Sequence, residues 1–392
     1  MLTETAPQPL SSLLVADFSR VLAGPYCTMT LGDLGAEVVK VERPGGDETR
    51  SWGPPFVDKE STYYLGVNRN KRSIVLDLRD ADDLRVARTL AERADVLVEN
   101  FRPGTMARFG LDEATIRPAN PALVYCSISA FGAAAGRQLA GYDLLVQALG
   151  GLMSVTGTDS DNPTKVGLAV VDVLAGLFAT VGILAALRER DRSGIGQLVE
   201  INLMSALLSG MANQSASYVL AQAIPRALGN GHASIAPYDT YPSGAGTLVL
   251  AVGNDKQFGQ LCDVLGIPQM ARDNRFRTNE LRVHNRSALR TIVTRALAPH
   301  SAHHWTAALN QAGVPAGTVN NIAQAFVYAE RLGLQPIRTT ADGDRRFGRQ
   351  VASPIALSAT PVTYRTRAPK LGEHSSEIRA WLAVLEAGCR PT

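Results

Sequence analysis

The sequence predicts an α/β protein with a Rossmann-like, parallel-sheet large domain and a smaller α/β domain. Three observations favour this class. Apolar segments of strand length alternate with helical segments through the first half of the chain, which is typical of a parallel sheet covered on both faces. A second, shorter series of such segments follows a stretch rich in Gly, Pro and Ser. The 392 residues are also more than one ordinary core holds.

The elements of the large domain follow from this alternation. Strands, each an apolar run, are predicted at residues 13–18, 36–42, 73–78, 95–101, 123–132, 165–171 and 197–203. Helices are predicted at residues 24–35, 81–94, 173–187 and 204–222. The first of these helices is entered through Pro25, and the third is long and almost entirely apolar.

The composition changes at residues 223–246, whose Gly, Pro and Ser content indicates a linker or an active-site loop. Beyond them, the smaller unit is predicted from segments at residues 247–254, 256–266, 282–296 and 303–313, and a closing helix at residues 375–388. We therefore predict a large domain at 1–222, a small domain with its linker at 223–330, and a C-terminal segment at 331–392 that returns to the large domain.

Charge and cysteine content exclude several classes of protein. The net charge is +3 and the basic residues are scattered, so no nucleic-acid partner is indicated. The four cysteines are far apart and form no CxxC pair, which argues for a reducing compartment and against structural zinc: Cys27, Cys126, Cys262 and Cys389. The N-terminus lacks the pattern of a signal peptide, and helix 173–187 is short for a membrane span. We expect a cytoplasmic protein without a membrane partner or a metal.

The ends of the predicted strands carry the residues that point to a ligand. After the first strand comes SRVLAGP in place of GxGxxG, and GxxxxGK[ST] is absent from the sequence, so the usual NAD and ATP sites are not expected. The polar and aromatic residues at or just behind strand ends are Arg20, Arg43, Arg79, Asn100, Phe101 and Arg108. Each arginine alone is typical of a solvated surface, but together they suit a phosphorylated ligand with a stacked ring.

Asp172 is the one carboxylate in the apolar run from residue 165 to 187. Between a strand ending at 171 and a helix starting at 173 it would be the helix N-cap, where backbone N–H groups and the helix dipole favour its charged form. We therefore expect Asp172 to be ionised at neutral pH. Two roles stay open on the residues alone: a capping residue, or a nucleophile beside N–H groups able to stabilise an oxyanion.

The whole chain resembles the class III CoA-transferases, the family that includes formyl-CoA transferase. The resemblance rests on motifs in matching order and spacing: DFSRVLAGPYCTMTLGDLGAEVVKVERPGGDETR, NKRSIVLDL, ADVLVENFRPGTMARFGL, GYDLLVQALGG, VGLAVVDVLAG and LGEHSSEI. It implies that Asp172 is the catalytic nucleophile and that Asp143 is an acidic residue near it. It also implies contacts to CoA from Val21, Arg43, Leu76, Arg79, Asn100, Phe101 and Arg108. The architecture implied is an open-ring subunit interlocked with its mate in a homodimer.

The resemblance further implies a reaction and its alternatives. Segments around GNGHASIAPYDTY, GNDKQFGQLCDVLG and NELRVHNR look most like the succinyl-CoA–glutarate type, which predicts transfer of CoA from succinyl-CoA to a dicarboxylic acid. His232 would either place the acceptor's distal carboxylate or order its loop. Racemases that epimerise 2-methylacyl-CoA carry a histidine where this chain has Tyr142, a poor acid/base group by its pKa, so that activity is the second hypothesis. A non-catalytic CoA-binding protein is the third. Coenzyme A enters as part of the substrate, with no permanently bound cofactor.

Overall fold

In the computed structural model the described residues are 8–386. Up to residue 150 the strands and helices are β1 (Leu14–Asp17), α1 (Ala23–Asp33), β2 (Glu37–Glu42), β3 (Phe56–Val57), β4 (Glu60–Ser61), α2 (Thr62–Gly66), β5 (Lys71–Val75), α3 (Ala81–Arg93), β6 (Val96–Glu99), α4 (Thr105–Arg108), α5 (Glu113–Ile116), β7 (Val124–Ser129) and α6 (Asp143–Leu149). Then come α7 (Leu152–Val155), α8 (Val170–Ser193), β8 (Leu198–Asn202) and α9 (Leu203–Gly210).

The remaining elements are α10 (Asn213–Ala221), β9 (Tyr238–Pro242), β10 (Thr247–Ala251), α11 (Asp255–Val264), α12 (Asn279–His284), α13 (Arg286–Leu297), α14 (Ala302–Gln311), β11 (Ala316–Thr318), α15 (Ile322–Arg331), β12 (Ile337–Thr339), β13 (Arg349–Val351) and α16 (Ser375–Glu386). Short 3₁₀ helices lie at Glu48–Ser51, Ala135–Gln138 and Pro268–Arg272.

The central sheet has six parallel strands in the order β5-β2-β1-β6-β7-β8. Numbered by their own sequence this is 3-2-1-4-5-6, the order of a doubly wound Rossmann sheet, so the predicted fold class is confirmed. The order reverses between β1 and β6. In such sheets a crevice opens there, beyond the carboxyl ends of the strands, and ligands bind in it.

Helix α8 corrects two predictions. No strand is formed at 165–171; the helix begins at Val170, because a short apolar run gives no period that separates strand from helix. The helix has 24 residues and, by length and composition, is long enough to cross a membrane, contrary to the expected short segment. It packs along α1 and α9 within its own unit.

Gly176 explains how closely α8 approaches α1. A Cβ atom built on Gly176 would lie 2.6 Å from the carbonyl oxygen of Ala23, so no side chain fits there. Ala175 and Ala179 are also fully buried on α8. Small residues therefore let the two helix backbones meet, which fixes the start of α8 next to the loop that follows β1.

The chain divides into two compact units. The first comprises residues 8–150, 167–212 and 335–386 of the described chain, and the second comprises 151–166 and 213–334. These limits differ from the predicted boundaries at 222 and 330, and they assign 151–166 to the second unit. The predicted helix 204–222 is in fact α9 and α10, separated where Ala212 adopts a positive φ of 41°. The predicted helix 282–296 is likewise two helices, α12 and α13.

Each unit has its own core. In the first, α3 and the sheet bury Ile74, Leu90 and Leu97, and α16 adds Ile378 and Leu382. In the second, the antiparallel sheet β11-β10-β9 packs with α11, α13 and α14. Its buried residues include Leu248, Phe258, Leu289 and Trp305.

Candidate active site

A cavity of about 180 Å³ opens at the point where the strand order reverses in the first unit. It is lined from several elements: the loop after β1, the turn after β6, the end of β7, the segment before α6, and the starts of α8 and α9. The lining residues are Arg20, Val21, Leu22, Ala23, Asn100, Phe101, Arg102, Pro103, Ile128, Ser129, Ala130, Leu139, Ala140, Gly141, Tyr142, Asp172 and Leu203. Five residues that the sequence singled out, besides Asp172, are therefore brought together here: Arg20, Val21, Asn100, Phe101 and Tyr142.

The loop after β1 is held rigidly at the mouth of this cavity. Asn100 accepts from the N–H of Arg20 at 2.8 Å and donates to its carbonyl at 2.7 Å, which ties this loop to the end of β6. Val21 has a φ of 68°, a left-handed conformation that β-branched residues rarely adopt. Its N–H donates to the buried carboxylate of Asp47. A strained residue kept in place by its surroundings is typical of functional sites.

Asp172 lies in the first turn of α8, is mostly buried and lines the cavity. It is not the N-cap: that position is Ala169. Burial, and then the negative charge of Asp143, raise the pKa of Asp172 to about 7. The expectation of a carboxylate fully ionised at neutral pH is therefore wrong. The physical reason is that desolvation and a neighbouring like charge outweigh the helix dipole.

Asp143 provides the cap that Asp172 was expected to be. Its Oδ1 accepts from the N–H of Val171 at 2.7 Å and of Asp172 at 3.2 Å, while Oδ2 accepts from Gln147 on its own helix. The side chain is only 7 % exposed. Asp143 therefore occupies both N–H groups. They are not free to stabilise an oxyanion, so this expectation from the sequence is wrong. Asp143 instead fixes the backbone that carries Asp172.

A second cavity, of about 290 Å³, lies in the same unit. Its lining includes four of the residues that the resemblance assigned to CoA: Arg43, Leu76, Arg79 and Phe101. Phe101 thus lines both cavities. The exposed Arg79 guanidinium pairs with Asp77, and that of Arg43 lies 3.4 Å from Glu48.

Two predicted residues lie elsewhere. Arg108 is exposed on α4, and among the described residues it is not one that lines either cavity, although Thr105, Met106 and Phe109 of the same segment line the second. His232 belongs to the second unit, where it lines a cavity of about 250 Å³ with Tyr238. There its Nδ1 accepts from the N–H of Ser234 at 3.0 Å, so its loop is ordered partly by the imidazole.

The structure adds residues that the sequence did not single out. The first is Tyr63. Burial, and then the negative charges of Asp172 and Asp143, raise the pKa of Tyr63 to about 12, because the tyrosine lies close enough to feel both carboxylates. Burial raises the pKa of Glu99 to about 7, and Glu99 accepts from the N–H of Phe101 at 2.9 Å. Glu48 pairs with Arg20 at 2.5 Å. Glu99 and Glu48 had visible signals, because they lie in the ENF and GGDETR segments of the family motifs. Tyr63 had none, because it lies outside those motifs.

A metal centre is not suggested by the donors present. Within residues 8–386, no group of three His, Cys, Asp or Glu side chains is arranged to hold a metal ion. Cys27, Cys126 and Cys262 are buried free thiols. The site is instead made of one carboxylate of raised pKa, an acidic neighbour, two arginines and an aromatic side chain. Such a set suits nucleophilic chemistry on a bound organic ligand.

Fold and site together define a doubly wound α/β protein with a buried carboxylate at the switch point of its sheet. The sequence profile of CoA-transferase family III matches residues 10–375, nearly the whole chain. The chain belongs to this family, and it is a family III CoA-transferase.

Relatives agree with this assignment. The chain is 40 % identical over 393 residues to the succinate–glutarate CoA-transferase of Agrobacterium fabrum, with 98 % of each chain covered. It is 41 % identical over 327 residues to the succinyl-CoA:glutarate CoA-transferase of Mus musculus, covering 83 % of this chain and 75 % of that protein. The crystal structure of a CAIB/BAIF family protein from Brucella suis superposes with a TM-score of 0.85 at 38 % identity, covering 96 % of this chain and 100 % of the other.

Proposed function

We propose that this enzyme moves CoA from an acyl-CoA donor, succinyl-CoA, to a dicarboxylic acid, with Asp172 as the nucleophile. The observation that carries the proposal is the carboxylate of Asp172, which is mostly buried on the wall of a cavity at the switch point of the sheet. A desolvated carboxylate is a stronger nucleophile than a hydrated one, and burial also shields the acyl intermediate from water.

The proposed chemistry balances without ATP or a metal. The Asp172 carboxylate attacks the donor thioester, the C–S bond breaks, and an acyl-aspartyl anhydride and CoA thiolate form. The thiolate then attacks the aspartyl carbonyl and expels the donor acid, leaving an aspartyl-CoA thioester. The acceptor carboxylate attacks that thioester and the same steps run in reverse, so that Asp172 is regenerated. One thioester is exchanged for another, and holding the thiolate close makes transfer faster than hydrolysis.

The CoA ester would span both cavities of the first unit. In this arrangement the nucleotide end lies by Arg43, Leu76 and Arg79, and the thioester lies by Asp172. The position of Phe101 supports this placement of the CoA ester, because Phe101 lines both cavities. The strained Val21 and the clamp from Asn100 would shape the narrow part between them. Arg108 would contribute from α4 at the rim of the nucleotide end.

The dicarboxylate class is supported by the relatives and by charge. Two relatives at about 40 % identity are named for transfer between succinate and glutarate. Two arginines, Arg20 and Arg102, also line the cavity that holds Asp172, and a second carboxylate on the substrate would be attracted to them. We further propose that the working form is a homodimer, which light scattering after size-exclusion chromatography would measure.

Covalent trapping tests the nucleophile directly. After incubation with succinyl-CoA, borohydride or hydroxylamine should capture an aspartyl thioester, and peptide mass spectrometry should place it on Asp172. Asp172→Ala should retain binding of the CoA ester yet lose transfer, with less than about a thousandth of the wild-type rate. A trapped adduct on another residue, or transfer above that level in Asp172→Ala, would contradict the assignment.

The racemase alternative predicts a different isotope result. Exchange at the 2-carbon needs an acid/base pair on opposite faces, and Tyr142, which stands where racemases have histidine, is 64 % exposed. Deuterium incorporated at the 2-carbon of a 2-methylacyl-CoA in heavy water would favour racemisation. An acceptor screen over C2 to C6 mono- and dicarboxylates, with succinyl-CoA as the donor, would define the transfer reaction. Failure to trap any adduct and to use any acceptor would indicate a protein that binds CoA without catalysis.

A further inference from the structure

We propose that Arg20 is the residue that selects dicarboxylic acids, by pairing with the carboxylate remote from the reacting carboxyl group. The inference rests on the proposed function, because it names the group that recognises the substrate in the cavity of Asp172. Arg20 and Asp172 line the same cavity of about 180 Å³. A dicarboxylic acid attacking at Asp172 would carry its second charge into that cavity, where a fixed cation stabilises it.

The backbone of Arg20 is fixed to an unusual degree. Its N–H and C=O are both bonded to the side-chain amide of Asn100, at 2.8 and 2.7 Å. The guanidinium lies over the ring of Phe101, with its central carbon 5.1 Å from the ring centroid. The side chain of Arg20 is nevertheless 40 % exposed, so part of its guanidinium group is accessible. A pre-positioned arginine loses little conformational entropy when a ligand binds.

The internal pairing of Arg20 is incomplete. One nitrogen, Nη1, contacts Glu48 Oε1 at 2.5 Å, while Nε of Arg20 and Oε2 of Glu48 are buried without a hydrogen-bond partner among the described residues. Nearby, Arg50 holds Glu42 through two parallel bonds of 2.8 and 2.7 Å, as arginine–carboxylate pairs prefer. Glu48 therefore does not occupy the whole guanidinium, and its exposed part retains binding capacity that an incoming carboxylate would use.

Glu48 has a second cation beside it besides Arg20. The same Oε1 atom lies 3.4 Å from Nη2 of Arg43, at the edge of the second cavity. Glu48 would keep this cation as its partner when Arg20 engages a substrate carboxylate, so no buried charge is left unpaired. In this view Glu48 occupies one nitrogen of Arg20 in the free enzyme and competes with the substrate for it.

The test compares matched acids across variants of the whole enzyme. We would measure kcat/KM for glutarate and for pentanoate with one fixed acyl-CoA donor. In a ping-pong reaction this ratio reports only the half-reaction of the acceptor. Arg20→Gln should lower kcat/KM for glutarate by about tenfold or more and change that for pentanoate by less than about threefold. Arg20→Lys should restore part of the preference, because the charge is kept and the fork is lost.

Two further variants control for structural effects. Glu48→Gln removes the competing carboxylate, so glutarate should be used as well as by wild type or better. Arg117→Gln is the matched control: its Nε is also buried without a partner and it holds Glu113 through one contact of 2.6 Å, but its site is away from the cavity. This variant should leave the ratio of the two acids unchanged.

Several outcomes would overturn the role of Arg20. Equal losses for both acids in Arg20→Gln would show a structural effect, and a raised KM for every CoA ester would show that the guanidinium holds CoA instead. Loss of the preference for glutarate in Glu48→Gln would show that selection depends on the Arg20–Glu48 ion pair and not on the unpaired part of the Arg20 guanidinium. Failure of the proposed function is separate, because it is read in the wild type: either no trapped aspartyl thioester or no preference for glutarate over pentanoate.

Discussion

Asp143 should control the pH at which Asp172 becomes active, and Asp143→Asn tests this. The pKa of Asp172 is raised to about 7 by burial first and by the charge of Asp143 second. The attacking species is the carboxylate, so transfer should rise as pH increases through this pKa. Replacing Asp143 by asparagine removes the charge but keeps an oxygen that can accept from the N–H groups of Val171 and Asp172. The start of α8 should therefore stay in place.

The size of the effect follows from the fraction of Asp172 that is ionised. With a pKa of about 7, about a tenth is ionised at pH 6 and about nine-tenths at pH 8, so wild-type kcat/KM should rise about tenfold between them. If the substitution lowers the pKa by about one unit, the ionised fraction at pH 6 rises about fivefold, while the rate at pH 8 hardly changes. Burial remains, so the pKa of Asp172 should stay above 3.8, its ordinary value.

The assay is kcat/KM for the CoA ester from pH 5 to 9 at constant ionic strength, with products separated by chromatography. This parameter reports the pKa of the free enzyme. Asp191→Asn, at the exposed far end of the same helix, is the control and should leave the profile unmoved. A wild-type profile that is flat between pH 5.5 and 8 would refute the raised pKa. An acid limb unchanged in Asp143→Asn would refute the role of the neighbouring charge.

Further predictions concern stability, CoA binding and substrate preference. Asp172→Asn should raise the free energy of unfolding by about 2 to 4 kcal/mol at pH 8 and hardly change it at pH 4. The reason is that a carboxyl group whose pKa is higher in the folded state costs stability as the pH rises from 3.8 to about 7. Urea titrations at both pH values would measure the difference. Arg43→Ala should raise KM for the CoA ester more than it lowers kcat, and unchanged KM with lost kcat would remove Arg43 from the nucleotide end. Gly176→Val should destabilise the fold by about 1 to 3 kcal/mol or more, since its Cβ would meet a carbonyl at 2.6 Å, and an unchanged melting temperature would contradict the close packing. A C4 to C6 dicarboxylate should be used at least about tenfold better than the monocarboxylate of equal length, and equal use of succinate and butyrate would contradict the proposed acceptor class.

The central sheet was predictable because its strands are apolar runs set apart by helices. Strands β1, β2, β5, β6, β7 and β8 all lie within or overlap segments expected from the pattern alone. The same rule failed at residues 165–171, where the apolar run continues directly into α8 and forms no strand. The breaks inside 204–222 and 282–296 were also missed, because they depend on single backbone positions such as the positive φ of Ala212.

The position of Asp172 was predictable, but its environment was not. The sequence predicted Asp172 as the N-cap immediately before a long apolar helix, where local rules favour the ionised carboxylate. The cap is in fact Asp143, which is 29 residues away in sequence, and its charge together with burial reverses the direction of the shift. Local rules cannot include a group brought close by folding. The same holds for Tyr63, whose proximity to the site follows from tertiary structure alone.

The strained loop beside the cavity explains why so many charges are buried beneath it. Asp17 and Lys40 are fully buried, and beyond their ion pairs each bonds the loop: Asp17 accepts from the N–H of Ser19 at 3.0 Å, and Lys40 donates to the carbonyl of Ser19 at 3.0 Å. Asp47, paired with Lys40 at 3.0 Å, accepts from the N–H of Val21. Burial alone would raise the pKa of Asp17, but Lys71 and Lys40 lower it to about 2, so the network stays charged near neutral pH. Buried ion pairs add little to stability by themselves. Here the remaining hydrogen bonds of these groups hold the loop at Ser19 and Val21 and so stabilise the strained backbone of Val21. They thereby fix the position of Arg20 next to the cavity of Asp172.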